Sequence, residues 1–286
     1  METRMDRSTP WRVPYSFVLP ALLLLFVFKL YPIVVSAVGS LYQRDAFVGF
    51  GNYTSLFADR VFGASLKATL LFNVLVNPIQ IALALALAVL ANRKLKGIGV
   101  LRSILYLPVV VSIAVTCVVW GIMLNPNGGV VNGMLNAVGI PSQPFLTSAD
   151  QALLSIILMT TWKGVAYWMM FLLAGLQDIP ESLYEASRID GAGRWNTLFR
   201  ITVPLLKRPL AFVIVADTVA NMMMFAPNYV LTKGGPELSN HFLMYEAFSS
   251  AYRYVDMGRA YSITTLLLVI VFVIVSLQAR LMRADH

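Results

Sequence analysis

Few residues of this 286-residue chain could carry out enzymatic chemistry. The single cysteine, Cys117, permits neither an internal disulfide nor an all-cysteine metal site. The two histidines, His241 and His286, are too few for a histidine-based metal or catalytic cluster. The sequence has no G-x-x-x-x-G-K-S/T phosphate loop, so any nucleotide must be handled by another polypeptide. We therefore predict that the chain is not an enzyme and holds no metal or cofactor of its own.

The ionisable residues Lys29, Lys163 and Asp217 lie deep within long apolar stretches. Charged groups at membrane depth are costly and are therefore candidates for a function. Both lysines could instead extend their amines to the membrane surface. A direct ion pair between Lys163 and Asp217 is disfavoured, because a rise of 1.5 Å per residue places them about 20 Å and about 10 Å from the predicted inner ends of their helices. Sparse carboxylates also disfavour a proton-coupled carrier.

Residues near these charges could bind a polyol or a sugar through hydrogen bonds and aromatic faces. Asn221 and Asn228 are seven residues apart, a spacing that places both on one face of a helix. Alternatively, the aromatic residues form interfacial belts and the asparagines join helices together. The candidates for a solute path are Asp217, Asn221, Phe225, Asn228, Tyr229, Lys163 and Tyr167, with further aromatic faces at Trp162 and Trp168.

The helices that must position these residues can be predicted, because the composition of the chain is very apolar. Hydrophobic residues make up 58% of the chain and charged residues 13%, with a mean hydropathy of +0.72. Soluble domains are nearer half apolar and a quarter charged, so lipid must cover the surplus. Stretches of about 20 apolar residues cross a hydrocarbon core of about 30 Å. We expect an all-α membrane protein with six transmembrane helices, at Tyr15–Leu41, Leu66–Ala91, Ile104–Leu124, Ala152–Leu176, Leu210–Thr232 and Ala260–Ala279.

Basic residues assign a side of the membrane to each predicted loop. Fourteen lysines and arginines lie in the two terminal tails and in the loops after the second and fourth helices, whereas five lie in the other loops. Cytoplasmic loops collect these residues, so both termini and the loop at 177–209 are predicted to be cytoplasmic. The same bias explains the net charge of +8 without a nucleic-acid partner. The predicted units are an N-terminal tail at 1–14, a transmembrane domain at 15–279 and a C-terminal tail at 280–286.

The loop at 177–209 holds the most specific pattern in the chain. Asp178 and Glu181 fit a helix N-cap pair, with Pro180 in the first turn, where its missing N–H is harmless. A short helix is expected to continue from this cap to about Ile189. The loop therefore has secondary structure of its own.

A second short helix is expected after a turn at Asp190-Gly191, where glycine ends the first helix and Asp190 can cap the next. Trp195, Leu198 and Phe199 are spaced three and four apart and share one face of this second helix. The apolar stripe predicts either an interfacial helix on lipid or a docking element for a cytoplasmic partner. Small residues at the turn favour docking, because they let another surface approach the backbone: Ala186, Ser187, Gly191, Ala192 and Gly193.

The sequence Glu185-Ala186-Ser187, followed by Asp190-Gly191-Ala192, Ile201 and Pro204, resembles the EAA motif of permease subunits of binding-protein-dependent ABC importers. Ser187 replaces the commoner second alanine, a small-for-small change. The resemblance implies the type I importer permease fold and a coupling helix that seats in a groove of an ATPase subunit. We assign ATPase coupling to Glu185, Ala186, Ser187, Asp190, Gly191, Ala192, Trp195 and Phe199.

Other segments extend the resemblance over most of the chain. Phe47-Val48-Gly49 with Asn52-Tyr53 is similar to the family's loop after its first helix, and 173–176 is similar to the usual approach to the motif. Residues 229–236 are similar to the signature after the fifth helix. The last two point to the carbohydrate-uptake branch, related to the maltose and glycerol-phosphate permeases. Ala226 stands where many relatives carry an acidic residue.

The resemblance also implies partners and a location. The expected complex contains a second permease subunit, with a heterodimer favoured, two ATP-binding subunits that hold ATP and Mg²⁺, and an extracytoplasmic solute-binding protein. The solute would be a carbohydrate, a polyol or a glycerol-phosphate-type molecule, and the chain would be a multi-pass protein of a bacterial or archaeal plasma membrane. The alternative is a stand-alone secondary transporter or channel for a small polar solute, which would work without ATP and show broken helices in matching halves.

Overall fold

The computed structural model describes residues 12–93 and 95–283. The α-helices are α1 (Arg12–Leu25), α2 (Tyr31–Gly39), α3 (Gly51–Ala58), α4 (Arg60–Ala91), α5 (Ile98–Val110), α6 (Ile113–Met123), α7 (Val130–Ala137), α8 (Ala149–Gln177), α9 (Glu181–Ile189), α10 (Arg194–Thr197), α11 (Val203–Leu205), α12 (Lys207–Met222), α13 (Leu243–Tyr252) and α14 (Met257–Arg283). Strands β1 (Tyr42–Gln43) and β2 (Ala46–Phe47) form an antiparallel hairpin. Wider π-helical turns lie at Phe26–Leu30, Leu198–Thr202 and Asn228–Thr232, and 3₁₀ turns lie at Phe145–Thr147 and Pro236–Leu238.

Four helical stretches in the described part of the chain are long and apolar enough to cross a membrane: Val18–Gly39, Arg60–Ala91, Ala149–Gln177 and Met257–Met282. They coincide with the predicted first, second, fourth and sixth spans. The helix pair α5 and α6 would form a fifth span if the two helices cross the membrane together. The expectation of an all-α membrane protein is therefore met by helices at the predicted places.

Helix α8 lies at the centre of the bundle, with 61% of its most apolar segment buried, and its main neighbour is α4. The two helices approach closely because α4 presents small residues, Ala84, Ala88 and Ala91, to the larger apolar side chains of α8. Gly164 lies opposite Gln80, where an added Cβ would come within 2.7 Å of the Gln80 amide nitrogen. That nitrogen instead donates to a backbone carbonyl of α8 at 2.8 Å. The side-chain amide of Gln80, a polar residue in the apolar helix α4, thus has a hydrogen-bond partner on α8.

The first span contacts the rest of the chain mainly at its end, where α2 meets α14. Ser36 Oγ donates to the Tyr261 backbone oxygen at 3.4 Å, and Ser262 Oγ donates to the Ser40 backbone oxygen at 3.2 Å. An added Cβ at Gly39 would lie 2.5 Å from the Tyr261 ring, so glycine is required for this approach. The most apolar segment of the first span has no buried residue.

The predicted third span, Ile104–Leu124, is not one continuous helix. It is broken at Val111 and Ser112, and the axes of α5 and α6 differ by 96°. Val111 is extended, and Ser112 caps α6 by accepting a hydrogen bond from the Val115 backbone N–H at 3.3 Å. A continuous helix was a wrong expectation here, because the stretch contains Pro108, which weakens a helix, and Ser112, whose side chain caps a new one.

Lys163 of α8 stabilises the break between α5 and α6, which we call the elbow. Its ammonium group donates to the backbone carbonyls of Pro108, at 3.0 Å, and Val111, at 2.5 Å. Carbonyls at a helix end have no partner within the helix, and lipid offers none. The charge inside α8 therefore neither pairs with Asp217 nor is free to extend to the membrane surface.

The predicted fifth span, Leu210–Thr232, is also interrupted. Helix α12 ends at Met222, and its 16 residues are followed by an irregular segment and the π-helical turn at Asn228–Thr232. Pro227 explains the end, because its ring would clash with the carbonyl of Met223 and it has no N–H to donate. A continuous helix through this proline was therefore a wrong expectation.

The two predicted tails differ in how far the structure describes them. Of the N-terminal tail at 1–14, residues 1–11 lie outside the described residues. At the other end, α14 continues to Arg283, so the last helix extends beyond the predicted end at Ala279 and into the predicted C-terminal tail.

Arg259 joins three elements at the N-terminal end of α4. Its guanidinium donates to Asp59 Oδ2 and to Glu246 Oε1, both at 2.7 Å, and to Ser250 Oγ at 3.2 Å. His241 Nε2 lies 3.1 Å from the other oxygen of Glu246, whose side chain is 1% exposed. Burial alone would raise the pKa of Glu246, but pairing with His241 and Arg259 outweighs it and holds the pKa below the ordinary value of 4.5. Glu246 is therefore ionised at neutral pH.

Replacing Lys163 should loosen the elbow. In Lys163→Met, two carbonyls lose a charged donor, and we expect the buried thiol of Cys117 in α6 to react with a maleimide about tenfold faster. Lys163→Arg should react like the wild type. Lys67→Met, the same change at an exposed position of α4, is the matched control. Equal labelling rates in the two methionine variants would rule out a role for Lys163 at the elbow.

Glu246→Gln should lower the free energy of unfolding at pH 7 by about 3 kcal/mol, because one partner of a buried ion pair is lost. A carboxyl with a lowered pKa stabilises the fold above its unfolded pKa and loses that effect as the pH falls through its folded pKa. The melting temperatures of wild type and variant in detergent should therefore converge below pH 4.5. Glu237→Gln, at an exposed site in the 3₁₀ turn that precedes α13, should melt like the wild type at every pH.

Candidate functional site

The loop at 177–209 folds into a helical hairpin, which we call the coupling hairpin. Its first helix, α9, ends at Ile189 as predicted, and Gly191 has a φ of 71°, in the left-handed region. The backbone N–H of Ala192 donates to the Ser187 carbonyl at 2.9 Å, and that of Gly191 donates to the Arg188 carbonyl at 3.1 Å. This pair of bonds is the Schellman motif, which closes the end of a helix and fixes the direction of the following chain.

Two capping predictions for this hairpin were wrong. Asp178 is the C-cap of α8, and Pro180 is the N-cap of α9 without a side-chain hydrogen bond. The proline disfavours helical backbone in the residue before it, so the N-cap falls at Pro180, two residues later than the predicted Asp178. Asp190 is the C-cap of α9, and Gly193 rather than Asp190 precedes α10.

The coupling hairpin presents large apolar side chains to its surroundings. Ile189 is 87% exposed, Trp195 is 74% exposed and Phe199 is 62% exposed. The rings of Trp195 and Phe199 stack with centroids 6.1 Å apart and planes 13° apart, so they form one flat surface. Among the other residues assigned to coupling, Glu185, Ala186, Asp190 and Gly191 are exposed and Ala192 is half-buried.

Ser187 is the exception among the residues assigned to coupling. It is buried, and its hydroxyl donates to the Tyr184 carbonyl within α9 at 2.9 Å. Its small size lets the hairpin close on itself. In this structure it is a residue of the hairpin's interior and not of its surface.

Asp217 lies at the centre of a group of polar side chains that links three helices. Trp168 Nε1 of α8 donates to Asp217 Oδ1 at 2.6 Å, and Asn221 Nδ2 donates to the same oxygen at 3.0 Å. Asn221 Nδ2 also lies 2.7 Å from Asn77 Oδ1 and 3.0 Å from Gln80 Oε1, both on α4. We call these five residues the polar cluster.

The polar cluster has unused capacity for hydrogen bonds. The second carboxylate oxygen of Asp217 is buried and has no hydrogen-bond partner among the described residues. Thr218 extends the network by accepting from Asn77 at 3.1 Å and from Gln278 of α14 at 2.9 Å. A buried carboxylate oxygen without a partner costs free energy, so it is a position where a hydroxyl group would be bound favourably.

Sequence reasoning identified Asp217 and Asn221 but missed their partners on α4. Asn73, Asn77 and Gln80 recur at intervals of four and three residues in an apolar stretch, which places them on one face of a helix. That spacing was the available signal. It is the same kind of pattern that identified the apolar stripe of the coupling hairpin.

Asn228 does not share a helix face with Asn221, because the break at Met222 separates them. Its amide donates to the backbone carbonyl of Asn240 and lies 3.3 Å from the Asn240 side-chain oxygen. Thr232 Oγ1 donates to that side-chain oxygen at 2.9 Å. Asn228 is fully buried and holds the loop that follows the π-helical turn. The predicted pairing of the two asparagines on one face was wrong.

The remaining path candidates lie in separate places. Phe225 and Tyr229 stack at 5.3 Å, and Phe248 of α13 contacts both, at 5.1 and 5.3 Å. Tyr167 contacts Trp168 at 4.8 Å and is 41% exposed. Lys163 is held at the elbow. The structure therefore brings together Asp217, Asn221 and the neighbouring aromatic residues of α8, and it separates them from the Phe225–Tyr229 pair.

Comparisons with a protein family and with individual proteins show what this chain is similar to. Residues 80–284 match the family described as binding-protein-dependent transport system inner membrane component. The chain is 33% identical to the sn-glycerol-3-phosphate transport system permease protein UgpA of Agrobacterium fabrum, with 94% of each chain covered. It is 36% identical to the lactose transport system permease protein LacF of Rhizobium radiobacter, with 92% of each covered.

A solved structure shares the fold. It is that of a bacterial alginate ABC transporter in complex with an alginate pentasaccharide-bound periplasmic protein, with a TM-score of 0.83, 23% identity, and 95% of this chain and 94% of that chain covered. The resemblance to ABC importer permeases and the expected permease fold are thereby confirmed. The chain belongs to the family of inner membrane components of binding-protein-dependent transport systems.

Proposed function

We propose that this chain is the membrane-spanning permease subunit of an ATP-driven importer, forming half of the path for a carbohydrate, a polyol or a glycerol-phosphate-type solute. The names of the relatives, which include glycerol-phosphate and lactose systems, support this solute class. The observation that carries the proposal is the coupling hairpin, which exposes a stacked aromatic surface on a closed, rigid turn. A separate ATPase subunit would bind that surface and hold the ATP and Mg²⁺.

The hairpin is positioned to transmit movement because it directly connects α8 with α12. Those two helices are joined in the core by the hydrogen bond from Trp168 to Asp217. Closure of the ATPase subunits would push the segment from Glu185 to Ile201, move both helices as a unit, and turn the spans from inward-facing to outward-facing. ATP would be hydrolysed on another chain. This chain would supply the coupling hairpin and half of the solute path.

The polar cluster is the proposed solute contact on this subunit. The Asp217 carboxylate and the Asn221 amide would bind hydroxyl groups, and the Trp168 ring would supply an apolar face for a sugar or polyol. A second permease subunit would complete the path, and an extracytoplasmic binding protein would deliver the solute. The alginate transporter structure, which includes a solute-bound periplasmic protein, supports such a delivery partner.

Trp195→Ala combined with Phe199→Ala should separate this chain from its ATPase. Removing two large interface side chains should weaken co-purification of the ATPase subunit by about 30-fold, and solute uptake should be lost. Phe212→Ala, at an exposed aromatic residue of α12, is the control and should retain both. If the aromatic pair rests on lipid only, the double variant will keep its ATPase subunit, and the docking role is then wrong.

Asn221→Ala should weaken solute uptake and leave the assembled importer intact. We expect the KM for uptake to rise about tenfold, because one buried hydrogen bond to the solute is lost, while basal ATPase activity and co-purification stay normal. Asn136→Ala, at an exposed asparagine of α7, is the matched control. If the cluster only joins helices, the variant will melt at a lower temperature with an unchanged KM, which would refute the proposed contact.

A further inference from the structure

A large cleft lies beneath the coupling hairpin and has no role in the proposed function. Its volume is about 1260 Å³, and it is enclosed by the hairpin, the C-terminal ends of α4 and α8, and the start of α5. Its lining comes from the inner side of the hairpin, including Tyr184, Ser187 and Leu198. Trp195 and Phe199 are not part of this lining, so the hairpin has two distinct faces.

The cleft lies at the ends of two helices that are long and apolar enough to cross a membrane. Val89 and Leu176, in the last turns of two membrane-spanning helices, line its inner part. Asn92 and Arg93, just beyond the end of α4, and Gln177, at the end of α8, line it as well. A molecule that fills the cleft would therefore have an apolar portion beside the helix ends and a polar portion beyond them.

Four arginines line the cleft: Arg93, Arg102, Arg188 and Arg194. Arg102 is already engaged, because its guanidinium donates twice to the Ala91 carbonyl, at 3.0 and 2.7 Å. Within the described ranges, the other three form no ion pair. They are exposed on the two opposite walls, Arg93 after α4 and the other two on the hairpin.

The acidic residues of the cleft do not balance these charges. Asp178 and Glu181 also line it, and Glu181 already interacts with another group. The basic excess favours an anion, and the planar guanidinium group matches the geometry of phosphate. Basic pockets between helix ends on the cytoplasmic side are suited to anionic lipid headgroups.

We propose that this cleft binds the phosphate headgroup of an anionic phospholipid, with its acyl chains beside Val89 and Leu176. Arg188 and Arg194 contact the phosphate from the hairpin, and Arg93 contacts it from the end of α4. The apolar depth of the cleft favours a lipid over an acidic segment of the ATPase subunit. The lipid thereby braces the inner face of the coupling hairpin, while the outer face remains free for the ATPase.

The test measures binding of phosphatidylglycerol to the purified importer complex by native mass spectrometry, with the zwitterionic, net-neutral phosphatidylcholine as the comparison. Arg188→Gln combined with Arg194→Gln should lower the affinity for phosphatidylglycerol by about 20-fold. Arg200→Gln combined with Arg208→Gln removes the same charge from exposed positions of the same loop outside the cleft and should change it by less than about threefold. Phosphatidylcholine should bind weakly to all three proteins.

A near-isosteric pair of variants checks the site without removing arginines. Asn92→Asp adds a negative charge inside the cleft and should weaken phosphatidylglycerol binding, whereas Asn196→Asp adds it outside and should not. Equal losses in the cleft and control variants would overturn the proposal, as would no loss in either. Displacement of the lipid by millimolar inorganic phosphate would assign the site to a free anion instead. Loss of the ATPase subunit from the cleft variants, with lipid retained, would assign it to a protein partner.

Discussion

Where a described helix is interrupted within an apolar stretch of this protein, the backbone needs a polar partner, because lipid supplies none. At the elbow the partner is the ammonium group of Lys163, which satisfies two carbonyls. After α12 it is Asn228, whose amide holds the returning loop through Asn240. At the coupling hairpin the backbone satisfies itself through the turn at Gly191. Lys163 and Asn228 were candidates for a solute path. In the structure, both stabilise irregular backbone within an apolar protein.

The polar cluster differs from these supports because it joins side chains to side chains. Asp217 and Asn221 connect α12 to α8 and α4, the helices that form the centre of the bundle. Helix α8 also precedes the coupling hairpin, and helix α12 follows it. The polar cluster and the hairpin are therefore connected through the same two helices. The structure shows these residues joining helices, and the proposed solute contact would use the same side chains.

Much of the architecture could be predicted from hydropathy, because four long apolar stretches leave no alternative to membrane-spanning helices. The end of α9 and the left-handed Gly191 also followed from local residue chemistry. How the elbow is stabilised could not be predicted, since Lys163 is some fifty residues away from the carbonyls it binds. The partners of Asn221 on α4 were missed for a related reason: contacts between distant segments depend on packing, which a single sequence does not display.

The junction of α2 with α14 brings together the beginning and the end of the chain, with Ser36 bonded to a residue 225 positions later. During synthesis, the first span can form its contacts with α14 only after the last span has been made, and until then it must be stable in lipid without them. It can be stable there because a helix satisfies its own backbone and its exposed side chains are apolar. Both α4 and α8 precede α14 in the chain, so the central pair can form before the first helix gains its contacts with the final helix.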